Sequence, residues 1–84
     1  MKIELFKEVA LSHDLPAEGL RCGDTATVIE HLPATDASGG EDGYVLEVFN
    51  AIGESIAVVA VTASAVEPLR ADEILSARSL AEAR

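Results

Sequence analysis

At 84 residues and a formal net charge of −9, the chain has room for one domain and too little material for crossover helices around a deep substrate cleft. Apolar residues make up 49% of it, which argues for a folded domain over a disordered tail. Aromatics are only 4%, so Val, Ile, Leu and Ala must do the packing, and nucleic-acid binders that stack bases on aromatic platforms look unlike this chain.

The start, Met1-Lys2-Ile3-Glu4-Leu5-Phe6-Lys7-Glu8, is broken by charge and does not read as a signal peptide. Val9-Ala10-Leu11 predicts a short first strand, followed by an ordered loop over Ser12 to Leu20. Arg21-Cys22-Gly23-Asp24 predicts a tight turn, because glycine permits positive φ and aspartate can bond its neighbouring backbone. Thr25 to Leu32 is β-branched enough for a second strand, with Ala26, Val28 and Leu32 on one face and Thr25, Thr27 and His31 on the other. Ile29 breaks that alternation on the polar side.

Pro33 ends the strand, and Pro33 to Gly43, rich in Gly, Ser and Asp, predicts a long flexible connection. A central hairpin is expected from Gly43 to Thr62, turning at Asn50 to Gly53. Ala63 to Leu69 supplies a break and a last short strand, in which Pro68 suits a sheet edge. Five short strands make an all-β small barrel over residues 1–70 the expected architecture. Residues 71–84 predict a C-terminal helix or tail: Asp72 can cap it, Ile74, Ala77 and Ala81 share a face, and Arg78 and Glu82 are spaced to pair. Such a helix is marginal alone, since roughly 12 to 15 residues is the lower limit in water, so it should dock on the barrel or await a partner.

The hairpin is the most telling segment. Tyr44 to Asn50 and Ile56 to Thr62 are apolar at nearly every position, so each run is greasy on both faces while a chain this short encloses only one. Glu47 is the single charge in these runs, which places Val45, Glu47 and Phe49 outward, Tyr44, Leu46 and Val48 inward, and Ile56 and Val58 as outer neighbours. These five outer residues form the candidate protein-binding site, with burial under the tail helix as the alternative.

Twelve acidic residues stand against Lys2, Lys7 and Arg21 up to Leu69, while the remainder is neutral. An acidic body repels phosphate backbones and anionic membranes and suits a basic protein partner, although the same charge also serves solubility. The longest apolar run, Ile56 to Val61, is far below the roughly 20 residues of a spanning helix, and a single cysteine fits a reducing compartment, so the expected location is cytoplasmic.

No enzyme chemistry is expected. His13, Asp14, Cys22, Asp24 and His31, placed in or beside loops at one end of the barrel, match no zinc spacing and read as structural or solvent-exposed. Cys22 lacks the base and positive surroundings of a nucleophile and reads as a turn-packing residue. Gly39-Gly40-Glu41-Asp42-Gly43 has neither the lysine of a phosphate loop nor the spaced ligands of a calcium loop. No cofactor or metal is expected.

The order Val9-Ala10-Leu11, Asp14-Leu15-Pro16, Gly19-Leu20-Arg21-Cys22-Gly23-Asp24, Thr27-Val28-Ile29-Glu30, Tyr44 to Phe49, Gly53, Ile56-Ala57-Val58-Val59 and Glu67-Pro68-Leu69 resembles a family of small bacterial and cyanobacterial proteins filed as a domain of unknown function. The resemblance implies an SH3-like barrel, often encoded beside a toxin-like partner as in antitoxin or immunity pairs, and brings no catalytic residues. The chain departs from that pattern in its longer Pro33 to Gly43 loop and its tail. Arg21 to Val28 is also similar to the KOW motif of ribosomal and elongation-factor barrels, but those meet RNA with basic loops, whereas here the loops hold Asp14, Glu18, Asp24, Asp36, Glu41 and Asp42. The expected function is a non-enzymatic protein-binding module. A self-associating homo-oligomer is the alternative, and an RNA-associated module the remaining one.

Overall fold

In the computed structural model, which describes residues 3–80, five strands succeed one another: β1 (Glu8–Leu11), β2 (Thr25–Leu32), β3 (Gly43–Phe49), β4 (Ser55–Thr62) and β5 (Val66–Pro68). Single 3-10 turns stand at Pro16–Glu18 and Ala63–Ala65. The strands form one antiparallel sheet in the order β4-β3-β2-β1-β5, so the all-β expectation holds and Pro68 lies on an edge strand. β4 and β5 end that order, and no ladder joins them among the described residues.

Alternation builds the core. Val9 and Leu11 of β1, Ala26 and Val28 of β2, Tyr44, Leu46 and Val48 of β3 and Val59 of β4 all point inward, joined by Leu20 and Val66. The Tyr44 hydroxyl accepts a hydrogen bond from the Ile3 N–H at 2.9 Å, and its ring lies 5.6 Å from that of His31. Turns form where the residue types demand them. At Arg21 to Asp24 the Arg21 N–H donates to Asp24 Oδ2 (2.8 Å) and the Asp24 N–H to the Arg21 carbonyl (2.9 Å), with Gly23 at φ 91°. At the hairpin, Asn50 Oδ1 accepts from the N–H groups of Ile52 and Glu54, closing the reversal with its own side chain.

Ile29 is a β-bulge: Val28 pairs with Leu46, and the next pair is Glu30 with Val45. One extra residue reverses the parity of the strand beyond it. His31, expected on the polar face, pairs with Tyr44 on the core side, and Leu32, expected inward, pairs with Gly43 on the outer side. The Pro33 to Gly43 connection, expected to be flexible, is a set of turns: Ser38 and Thr35 exchange hydrogen bonds, Gly40 N–H donates to the Thr35 carbonyl, and Asp42 accepts from Ala34 N–H and from His31.

The expected C-terminal helix is absent between Arg70 and Leu80. Only a turn forms there, with Glu73 N–H donating to the Arg70 carbonyl, and the rest runs without regular structure. Helix formers are present, but a helix of this length is marginal without tertiary support. Arg78 instead reaches Asp24, 54 residues earlier, leaving Ile74 94% exposed. Ala81 and Glu82, expected on that helix, lie outside the described residues.

Phe6 precedes β1 with φ 67° and a largely exposed ring, its N–H donating to the Val28 carbonyl. A bulky L-residue there costs about 1–2 kcal/mol, which asparagine largely avoids. Phe6→Asn is expected to raise stability by about 1 kcal/mol, read as a higher urea midpoint at unchanged slope.

Candidate protein-binding surface

With Tyr44, Leu46 and Val48 inward, β3 turns Val45, Glu47 and Phe49 to the other face. Cross-strand pairing extends that face into rows. Glu47 lies opposite Val58 on β4 and Thr27 on β2, and Thr27 lies opposite Glu8 on β1. Val45 lies opposite Ala60 on one side and Glu30 on the other. The surface is therefore apolar over the hairpin and acidic across β1 and β2. Phe49 is 42% exposed and Val58 59%, while Ile56, also expected here, is 40% exposed in a second bulge between Ser55 and Ala57. The structure thus brings Val45, Glu47, Phe49 and Val58 onto one face, with Ile56 at its hairpin end.

One part of this face was not foreseen. At the Gly43 end, Leu32, Pro33, Gly43, Ala60 and Thr62 line a groove of about 420 Å³ rimmed by Glu41. Leu32 reaches it only because the Ile29 bulge reverses β2, and a Cβ on Gly43 would stand 2.8 Å from the Val61 carbonyl oxygen. Glu41 is held at the rim by the Ser64 N–H (2.9 Å) and lies 3.3 Å from the Ser64 hydroxyl. The out-of-pattern Ile29 was the one sequence signal for this arrangement.

Up to Leu80, the described part of the tail does not cover the hairpin. It lies across the Arg21 to Asp24 turn, where Ala10, Cys22, Leu69 and Ile74 line a cleft of about 380 Å³. Arg78 grips Asp24 with both arms of its guanidinium: Nε donates to Oδ1 at 2.9 Å and a terminal nitrogen to Oδ2 at 2.6 Å, the latter nitrogen also reaching the Gly19 carbonyl at 3.2 Å. The Arg78 hydrogen bonds hold the Asp24 carboxyl below its ordinary value; partial burial opposes them, and the Arg21 N–H and the two arginine charges add to the lowering.

The five residues weighed for metal or proton chemistry do not assemble. Asp24 precedes β2 and His31 lies near its far end, about 20 Å away at strand rise, which corrects their expected placement at one end. Cys22, exposed, donates its N–H to Asp14 Oδ1 and lies with Sγ 3.4 Å from the Ser12 carbonyl, while His31 Nε2 sits 2.9 Å from Asp42 Oδ2. No three His, Cys, Asp or Glu side chains are placed to hold a metal ion among the described residues.

Among the described residues, no helix is long and apolar enough to cross a membrane. A family profile described as a domain of unknown function (DUF4926) matches residues 5–74, which takes in all five strands and the start of the tail. No curated protein and no solved structure matches the chain.

Proposed function

We propose that this chain, which belongs to the DUF4926 family of domains of unknown function, is a non-enzymatic protein-binding module built as an SH3-like barrel. Its docking surface is the outer face of the β3–β4 hairpin. The observation that carries this reading is the exposure of Phe49, Ile56 and Val58 on a face that the tail, as far as Leu80, leaves open by lying across the Arg21 to Asp24 turn. Glu8, Glu30 and Glu47 flank the apolar part, so the complementary partner presents apolar side chains bordered by Lys or Arg. A basic toxin-like protein bound in an antitoxin or immunity pair has that chemistry. Self-association through this face would oppose like charges, which ranks it second.

The test is capture of partners from cells of origin by wild-type protein and by Phe49→Asp. The variant should keep the β-sheet circular dichroism of the wild type and lose at least about tenfold in retained partner, the effect of a central contact worth roughly 1.4 kcal/mol or more. Equal retention by the two proteins would remove this face from consideration.

A further inference from the structure

β4 ends the sheet and has no strand on its far side among the described residues. The phase of its ladder with β3 is set by the Ala63 N–H donating to the Asp42 carbonyl at 2.8 Å. In an antiparallel pair, hydrogen-bonded positions recur every second residue, so Val61, Val59 and Ala57 bond β3 through Tyr44, Leu46 and Val48. Val58 and Ala60 therefore turn their N–H and carbonyl groups away from β3, and no loop among the described residues takes them up.

Such an edge is ordinarily blunted by charge, proline or brevity. β5, the opposite edge, has three residues and ends in Pro68. β4 has eight, Ser55-Ile56-Ala57-Val58-Val59-Ala60-Val61-Thr62, with no charge, proline or glycine. The groove over Gly43 adjoins the Ala60 to Thr62 end of this edge, placed to receive a side chain from whatever lies along it.

We infer that the free edge of β4 is a strand-addition site for an extended segment of a partner protein, with apolar residues alternating with Lys or Arg. Main-chain bonds to Val58 and Ala60 supply affinity, and an apolar side chain in the groove sets register. Glu47 beside Val58, Glu54 just before the strand and Glu41 at the groove rim supply the acidic surroundings that favour a cationic segment. A second copy of this chain fits less well, because it would bring a net charge of −9 against its equal with no basic residue in either β4. This inference rests on the reading of the protein as a binding module.

The experiment is amide hydrogen exchange on the full chain, monitored by NMR, with an eight-residue alternating Lys-Val peptide as probe and an alternating Glu-Val peptide as control. In the free protein the Val58 and Ala60 amides should exchange at least about tenfold faster than those of Val59 and Val61. With Lys-Val peptide at roughly ten times its Kd they should slow about tenfold, and the Glu-Val peptide at equal concentration should leave them unchanged. Ala60→Pro removes an outward N–H that β3 does not use, so it should abolish the slowing while Val59 and Val61 stay protected. A Lys-Val peptide N-methylated at alternate residues should also fail, which keeps the test decisive if Ala60→Pro does not fold. No slowing with the Lys-Val peptide would overturn the inference, as would protection that grows with protein concentration alone, the mark of pairing between copies. Capture unchanged by Phe49→Asp with slowing intact would remove the face and leave the edge; the reverse pattern would remove the edge alone.

Discussion

Tyr44→Ala is expected to cost about 3–5 kcal/mol, enough to leave little native protein at 37 °C, because a small domain has only about 5–15 kcal/mol in total. Tyr44 is buried to 1% exposure on β3 and belongs to the same core cluster as Val28 and Leu46, which with Val9 are its other fully buried large side chains. Tyr44→Phe separates the ring from its hydroxyl: it keeps the packing and loses only the acceptor for the Ile3 N–H, a cost of about 1 kcal/mol. Urea unfolding of the three proteins gives the comparison. A Tyr44→Ala midpoint close to that of the wild type would mean that the ring is not the centre of the core.

Asp24→Asn is expected to cost about 1–3 kcal/mol at pH 7, since it removes the charge that Arg78 grips. Tryptic cleavage after Arg78 should rise by roughly 5- to 100-fold, because the guanidinium that the protease needs is no longer held. The pH dependence has a fixed sign. The folded carboxyl sits below its ordinary value of 3.8, so the unfolded chain takes up the proton first as pH falls. The stabilisation is whole above about pH 4 and is lost as pH drops through the lowered folded-state value. Wild-type stability should therefore move toward that of Asp24→Asn as pH falls below 3.8, and a gap between them that does not narrow on acidification would exclude the ion pair as its source.

Strand positions were legible because Gly and Pro mark their ends and because Glu47 fixes which way β3 faces. The inward set Tyr44, Leu46 and Val48 and the outward set Val45, Glu47 and Phe49 come from that one charge. The end of β2 beyond Ile29 was not legible, since a bulge is a property of two strands and its parity change cannot be read along one. Leu32 and His31 exchanged faces for that reason, and the groove over Gly43 went unseen with them. The tail misled differently. Its Ala, Leu, Glu and Arg content carries real helix propensity, and a pairing of Arg78 with Glu82 is the natural local choice. The carboxylate that Arg78 grips among the described residues, that of Asp24, lies 54 residues away, beyond any local pattern.

The place of β1 between β2 and β5 has a kinetic consequence. Val9 meets Ala26 on one side and Pro68 on the other, so the first strand made is completed only by the last. The β3–β4 hairpin closes within a short loop and can form on the microsecond scale, but the β1–β5 ladder must close a loop that contains the other three strands. During synthesis, β1 can find β2 early but gains its second neighbour, and the sheet its last edge, only once the chain has passed Pro68.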